Sequence, residues 1–215
     1  MRVHPPDGRR SAAADTRRRI LAVALELFSA HGYAGTSMRD IAETMSMTKA
    51  SLYYHFESKE QILEAVTEPI RAEMNLMLQM AATPPPPTAE QLLTRLVEIL
   101  SRHALLIEIV FNDPSSGDRG HHLQAKEVFG TVTSLLAGDG GPDSLLRARC
   151  AIGAVLFAVR GTVRGDPRFT GPVGSDRALR LLGGEDDALD AAVRRQVVAA
   201  ALRALGEPVN GPGAG

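Results

Sequence analysis

Apolar residues near the start of the chain recur at the spacing of one face of an α-helix. In the segment 17–31 this stripe consists of Ile20, Leu21, Ala24, Leu25, Leu27 and Phe28. Asp15 or Thr16 is suited to cap the start of the helix, and Gly32 lies where a left-handed C-cap is expected. The pattern predicts a first helix that ends at about residue 31.

Two short helices are predicted next, each preceded by a capping side chain. Ser37 and Asp40 have the spacing of a capping box, which would open a helix over 38–45. Thr48 is a suitable N-cap for a second helix over 49–55. Two short helices joined by a tight turn are typical of a helix-turn-helix, in which the second helix lies in the major groove of DNA.

A longer helix is predicted to follow from Lys59. Ser58 and Gln61 have capping-box spacing at its start, and Pro69 is expected to kink it. Its helical pattern stops at the run TPPPP at 83–87, which cannot be helical.

The remainder of the chain alternates between helical patterns and gaps rich in Gly, Pro, Asp or Ser. The patterns lie at 89–111, 121–137, 143–163 and 186–205, with a short one at 176–182. No strand pattern competes with them, and an aromatic content of 4% favours helices over a β-sandwich or barrel. The predicted fold is therefore all-α, with about nine helices.

These patterns divide the chain into four parts. A helix-turn-helix domain is predicted at 15–62, and a larger helical domain at 63–207. A disordered basic arm at 1–14 and a disordered tail at 208–215 flank them, because neither end has a hydrophobic period.

Positive charge is concentrated at the start of the chain. The net charge is −1, but residues 1–58 carry +2 and residues 59–215 carry −3. A basic arm on a nearly neutral body is compatible with a polyanionic partner such as DNA. A solvated tail explains the same charge about as well.

The segment 49–55 separates into two faces when it is drawn as a helix at 100° per residue. Leu52 and Phe56 share one face and are expected to anchor the helix to the core. The opposite face carries Ala50, Tyr53 and Tyr54, flanked by Lys49 and Ser51. Alanine can touch a thymine methyl, lysine pairs with phosphate or guanine, and tyrosine can bond to phosphate. The alternative is that both tyrosines pack against another helix.

Residues 16–62 resemble the DNA-binding domain of the TetR/AcrR family of bacterial transcriptional regulators. Two runs carry the resemblance, GYAGTSMRDIA at 32–42 and LYYHFESK at 52–59. The family usually has a glycine in the turn before the recognition helix, whereas this chain has Ser46. That serine is expected to bear any left-handed strain in the turn.

The resemblance implies a set of DNA-contacting residues. Arg39 matches a position that reaches a base edge or phosphate, and Lys59 matches a backbone phosphate contact at a helix start. Groove-facing positions are matched by Lys49, Ala50 and Tyr53, and phosphate-binding or flanking positions by Ser37, Thr48, Ser51, Tyr54 and His55. The N-terminal arginines are candidates for an adjacent minor groove.

The family resemblance also implies a C-terminal domain for dimerisation and ligand binding. The helices near 145–161 and 186–205 are apolar on more than one face and need several partners. A four-helix bundle across a two-fold axis would use both, and the homodimer would read a pseudo-palindromic operator. The alternative is that the two helices simply bury each other within one subunit.

A small, largely hydrophobic effector is the predicted ligand. The candidate residues are Met77, His103, Ile107, Phe111, His122, Phe129 and Phe157. For the methionines the alternative is adaptable core packing, and for each histidine it is a capping or solvated position. Binding is expected to shift the fourth helix and release a repressor from its operator, repression being the family default.

An enzyme is the first rival class, and the residues give it little support. The chain has no HExxH, Walker or GxSxG motif. Neither a cofactor nor a metal is predicted, and Cys150 is expected to be a buried core thiol. A second rival is an architectural DNA-binding protein that responds to no effector. Because no signal peptide is visible and the longest apolar run has nine residues, a cytoplasmic location without membrane contact is expected.

Overall fold

The computed structural model describes residues 8–107, 119–138, 140–165, 175–182 and 189–206. Within these ranges the fold is helical and contains no strand, as predicted. A helical turn at 104–107 accompanies nine helices. They are α1 Gly8–His31, α2 Met38–Thr44, α3 Lys49–His55, α4 Lys59–Ala82, α5 Ala89–Arg102, α6 Arg119–Ala137, α7 Pro142–Gly165, α8 Ser175–Leu182 and α9 Ala191–Leu205.

The first three helices and the start of α4 enclose one hydrophobic core. We call this part of the protein the head. Its largest fully buried side chains are Ile20, Leu25, Phe28, Ile41, Leu52, Phe56 and Ile62. Gly35 sits in the loop between α1 and α2, where a Cβ atom would lie 2.2 Å from the carbonyl oxygen of His31. Only glycine fits there, so the loop can fold tightly back onto α1.

The first helix begins earlier than predicted. Residues 8–14 are helical and not disordered, and Thr16 is no cap, since its hydroxyl donates to the carbonyl oxygen of Ala12 at 2.9 Å. Residues 1–7 of the predicted arm lie outside the described residues. The stretch RRSAAADTRRR is rich in alanine and arginine, both strong helix formers, which explains the extension.

Two other helix boundaries also differ from the prediction. The helix predicted at 89–111 ends at Arg102, and 108–111 lie outside the described part of the chain. The last helix begins at Ala191, because the Asp190 side chain accepts the N–H of Val193 and caps it, and 186–188 of the predicted helix lie outside the described residues. The fourth helix is continuous through Pro69, and the kink expected there remains a prediction.

A second core lies between the C-terminal part of α4 and helices α5, α6, α7 and α9. We call this part of the protein the body. The most extensive packing is between α7 and α9. The hydroxyl of Ser101 at the end of α5 is buried and accepts the N–H of Leu189 at 2.9 Å. That hydrogen bond holds the start of α9 against α5.

The head core includes residues from well beyond the predicted domain boundary at residue 62. Leu105 and Leu106 of the 104–107 turn and Ala178 of α8 are buried in the head core. The same turn places Ala104 and Ile107 in the body core. Head and body are therefore joined by α4 and by this turn, whereas α8 packs against α1 of the head. Among the described helices, none is both long and apolar enough to cross a membrane.

Candidate nucleic-acid interface

The recognition helix α3 is held to the head by one face only. Leu52 and Phe56 are fully buried, whereas Tyr53 is 49% and Tyr54 84% exposed. The side chain of Thr48 accepts the N–H of Ser51 at 3.1 Å and caps the helix as predicted. The predicted division of α3 into two faces is confirmed, and the alternative in which both tyrosines are packed against another helix is wrong.

The exposed face of α3 carries the small and basic side chains beside these tyrosines. Lys49, Ala50 and Ser51 are all exposed. This arrangement offers a cation, a methyl group, a hydroxyl and two phenols on a single protruding helix. Such groups can bond to phosphate and contact base edges.

The turn before α3 adopts the strained conformation that its sequence suggested. Ser46 has a φ of 52°, which places it in the left-handed region. Among the described residues it is the one non-glycine with a positive φ. The turn is closed by the N–H of Met47, which donates to the carbonyl oxygen of Ala42 at 2.9 Å. The left-handed backbone expected at Ser46 is therefore present between α2 and α3.

The predicted capping box at the start of α2 is confirmed. The Asp40 carboxylate accepts the backbone N–H of Ser37 at 2.8 Å and its hydroxyl at 2.7 Å, while Ser37 accepts the N–H of Asp40. The hydrogen bond from the Ser37 side chain, reinforced by its N–H, lowers the pKa of Asp40. The Ser37 hydroxyl is thus engaged within the head. Arg39, by contrast, is exposed and pairs with Glu43 one turn later.

The capping box predicted at the start of α4 is only half formed. The side chain of Ser58 accepts the N–H of Gln61 at 3.3 Å. The Gln61 side chain does not return to Ser58 but accepts the N–H of Glu57 at 3.0 Å. The α3–α4 turn is therefore closed one residue earlier than a capping box would close it.

Lys59 is turned toward the interior of the head. Its ammonium donates to the carbonyl oxygens of Tyr33 and Thr36, at 2.7 and 2.8 Å, and lies 4.1 Å from the centre of the Tyr33 ring. The hydroxyl of Tyr33 in turn donates to Glu60 at 3.1 Å. These contacts lock α4 to the α1–α2 loop and leave at most one ammonium N–H for the predicted phosphate contact.

Arg17 was not singled out from the sequence, yet it contacts the recognition helix. Its Nη1 atom donates to the carbonyl oxygen of His55 at 2.7 Å, and its Cζ atom lies 3.9 Å from the centre of the Phe56 ring. His55 is half-buried, and its ring meets that of Tyr54 edge to face with centroids 5.3 Å apart. Local periodicity gave no signal for Arg17, because its partner lies 38 residues away.

The predicted effector residues separate into four groups. Met77, Ile107 and Phe129 come together in the body core. The side chains of Phe111 and His122 lie outside the described residues. Phe157 is 85% exposed and does not join the body core, and its contact with an effector remains a prediction. The phase of α7 points it away from the core, opposite Ile152 and Val155.

His103, the remaining candidate, belongs to a charged cluster between α4 and α5. Its Nε2 atom lies 3.1 Å from Glu73, which also accepts from Arg102 at 2.7 Å and Arg95 at 3.3 Å. Burial raises the pKa of Glu73, but hydrogen bonds from His103 and Arg102 outweigh it and lower that pKa overall. The cluster stabilises a charged carboxylate where the two helices cross.

An open groove of about 1000 Å³ lies beside the turn between α4 and α5. Met77 and Met80 of α4, the prolines of the 83–87 run and Leu92 of α5 contribute its apolar lining. Arg95 and Glu98 lie at its polar side. Met77 is thus the predicted effector residue that both reaches the body core and borders an accessible groove.

An apolar strip runs along the exposed side of α7. It consists of Leu146, Cys150, Gly153, Phe157 and Gly161, spaced three or four residues apart. Leu146 is 60% exposed, and no atom lies within 4 Å of a Cβ built on either glycine. Cys150 is also exposed, so the expectation that it is a buried core thiol is wrong.

Comparison with known proteins identifies the N-terminal domain. Residues 20–66 match the model of the family described as bacterial regulatory proteins, tetR family. Over these residues the chain is similar to the tetR family. The matched segment contains the helix-turn-helix, with α2, the Ser46 turn and α3, together with the start of α4. TetR-family proteins are regulators, which agrees with the prediction that the chain is not an enzyme.

Two transcriptional regulators are similar to the chain in sequence. The HTH-type transcriptional regulator AcrR of Shigella flexneri is 33% identical over 107 residues, which are 46% of this chain and 50% of AcrR. The biofilm operon icaADBC HTH-type negative transcriptional regulator IcaR of Staphylococcus aureus (strain Newman) is 52% identical over 46 residues, 21% of this chain and 25% of IcaR. The chain therefore matches about half of the first relative and a quarter of the second.

A solved structure shares the fold along nearly the whole chain. Mycobacterium smegmatis AmtR superposes with a TM-score of 0.58 over 95% of this chain and 99% of AmtR, at 23% sequence identity. At that identity the likeness concerns the fold alone. It shows that a helix-turn-helix head joined to a helical body is an architecture found in a known protein.

Proposed function

We propose that this TetR-family chain is a transcriptional regulator that reads duplex DNA with α3. The observation that carries the proposal is the division of that helix into two faces. Leu52 and Phe56 fix it to the head, and Lys49, Ala50 and Tyr53 face solvent together. A single helix that is both anchored and exposed along its length fits the major groove.

The structure supports the other predicted DNA contacts to different degrees, according to whether the side chain is exposed or already bonded within the head. Thr48, Ser51 and Tyr54 surround the exposed face, and Arg39 is exposed on the preceding helix. Ser37 and Lys59 are already engaged in hydrogen bonds within the head. We assign these two residues mainly to fixing α2 and α4, with any phosphate contact secondary to that task.

The functional unit in this proposal is a homodimer formed through α7 and α9. The apolar strip on α7 lies opposite the face that packs in the body, so burial within one subunit does not account for it. Helix α9, which packs against α7, also has exposed alanines, Ala192 and Ala200. A second copy would cover both helices in a four-helix bundle across a two-fold axis and would present two copies of α3 to a pseudo-palindromic site.

Control by a small, largely apolar effector is the remaining part of the proposal. Met77 borders the open groove, and with Ile107 and Phe129 it lies in the body core. Because α4 runs from the head core into the body core, displacement of its C-terminal half would tilt the head. A coupling of about 1–3 kcal/mol would release DNA several-fold to a hundredfold. IcaR is named a negative regulator, which favours repression as the mode.

Selection from a random duplex library tests this function. The full chain should enrich a sequence with two inverted half-sites whose centres are about one helical turn, or a multiple of it, apart. Enrichment of no sequence would reject the regulator and favour an architectural DNA-binding protein. Thermal shift with a panel of apolar compounds separately tests the effector, because stabilisation by none of them would count against control by a ligand.

A further inference from the structure

The C-terminal end of the recognition helix is contacted by a residue of α1. Helix α3 has seven residues and buries one of them, Leu52, together with Phe56 just after its end. The Arg17 guanidinium donates to the last helical carbonyl, that of His55, at 2.7 Å. The same guanidinium lies over the Phe56 ring at 3.9 Å from its centre.

Both contacts act on the same end of the helix. The last carbonyls of a helix lack intrahelical partners and carry partial negative charge, so a guanidinium there is favourable. A cation over an aromatic face is also attractive, and in this geometry it covers the ring that anchors α3. Thr48 holds the N-terminal end of α3, and Arg17 holds its C-terminal end.

We propose that Arg17 is a positioning residue for DNA recognition, which fixes the angle of α3 against α1. The inference rests on the proposed DNA-binding function. The geometry favours positioning over a direct phosphate contact, because the guanidinium already bonds to the protein backbone and lies over a buried ring. Loss of Arg17 should therefore lower discrimination between sequences more than it lowers general affinity for DNA.

The neighbouring Arg18 provides a matched control. It lies on the same helix, is exposed and carries the same charge. Removal of a charge that only attracts DNA weakens binding to every duplex to a similar extent. Comparing Arg17→Ala with Arg18→Ala therefore separates the contact with α3 from simple electrostatic attraction.

The test uses the full chain with two 30-base-pair duplexes, one enriched by the wild-type chain and one with the same bases scrambled. We expect Arg17→Ala to reduce the ratio of the two affinities roughly tenfold, the size of one misplaced base contact. Arg18→Ala should leave that ratio unchanged. An unchanged ratio in Arg17→Ala, with both affinities lowered alike, would overturn the inference and indicate a phosphate contact.

Hydrogen–deuterium exchange of the free protein provides a second readout that needs no DNA. Arg17→Ala should accelerate exchange in peptides covering 48–56, and leave peptides from α5 at their wild-type rate. Arg18→Ala should change neither. If α3 exchanges at the wild-type rate in Arg17→Ala, positioning is rejected even when no duplex is enriched. If no duplex is enriched but exchange in α3 rises, the contact stands and the proposed function fails.

Discussion

Nε2 of His103, just beyond the end of α5, lies 3.1 Å from Oε1 of Glu73 in the middle of α4. On one side of Glu73, Val66 belongs to the head core, and on the other side Met74 belongs to the body core. The pair therefore lies where α4 passes from one core to the other. Arg102 and Arg95 reinforce it from α5.

Acid should weaken this junction. Burial raises the pKa of Glu73, but the hydrogen bonds from His103 and Arg102 lower it overall. A carboxyl group whose pKa is depressed by folding stabilises the protein above its unfolded pKa, and that stability is lost as pH falls through the folded pKa. We expect Glu73→Gln to be less stable than the wild type near neutral pH and to lose less stability on acidification from the ordinary value of 4.5 downwards.

Urea unfolding as a function of pH measures this effect. Glu64→Gln is the control, because Glu64 is exposed on the same helix and faces away from the cluster. The stability of Glu64→Gln should depend on pH in the same way as that of the wild type. If Glu73→Gln and the wild type lose stability in parallel below the ordinary carboxyl range, Glu73 does not stabilise the junction as a charged group.

Ser46 should be replaceable by glycine with a gain in stability. Its φ of 52° lies in the left-handed region, where a side chain costs roughly 1–2 kcal/mol. Glycine removes that cost but has a more flexible unfolded state, so we expect a net gain of about 0.5–1 kcal/mol. Ser51→Gly, within α3, should instead lose roughly that amount. Denaturant unfolding would contradict the prediction if both variants were destabilised alike.

Phe157→Asp should convert a dimer into a monomer. Phe157 lies in the middle of the apolar strip on α7, and a carboxylate there would be buried without a partner in the proposed interface. Light scattering after gel filtration measures the mass directly. Leu76→Asp is the control, since Leu76 is a 53% exposed apolar side chain on α4. A dimeric Phe157→Asp variant would exclude α7 from the interface.

Lys59→Met should destabilise the head more than it weakens DNA binding. The substitution keeps the length of the side chain but leaves the carbonyl oxygens of Tyr33 and Thr36 without the ammonium. The Tyr33 carbonyl keeps the N–H of Thr36 at 3.3 Å, but the loss of two hydrogen bonds from a charged group should still cost about 1–3 kcal/mol in thermal or denaturant unfolding. A variant that unfolds like the wild type yet loses affinity for all duplexes would show that Lys59 acts on phosphate instead.

The sequence predicts α3 well because its information is local. Capping by Thr48 follows from its side-chain hydroxyl at the start of the helix. The separation of Leu52 from Tyr53 onto different faces follows from a period of 3.6 residues. The left-handed turn at Ser46 could also be foreseen, because the family that the segment resembles usually has a glycine in this turn. The start of α1 does not follow from the hydrophobic pattern, because residues 8–14 have no hydrophobic period and are helical through the propensity of their alanines and arginines.

Tertiary contacts could not be predicted from local patterns in the sequence. The direction of Lys59 depends on the fold of the α1–α2 loop, and the contact of Arg17 with His55 joins residues far apart in sequence. The packing of Ala178 in the head core likewise requires α8 to return to α1. The exposure of Phe157 could not be predicted either, because hydrophobic character alone does not distinguish an internal wall from a surface that faces a partner.

The central claim is that the exposed face of α3 reads DNA sequence. Replacing Lys49 and Tyr53 together by alanine tests it most directly, with Arg195→Ala, an exposed arginine of α9, as the control. Fluorescence anisotropy would compare the duplex enriched by the wild-type chain with its scrambled counterpart. We predict that the double variant binds both duplexes equally while its melting temperature stays close to that of the wild type. A double variant that still prefers the enriched duplex would contradict the assignment of α3 as the recognition helix.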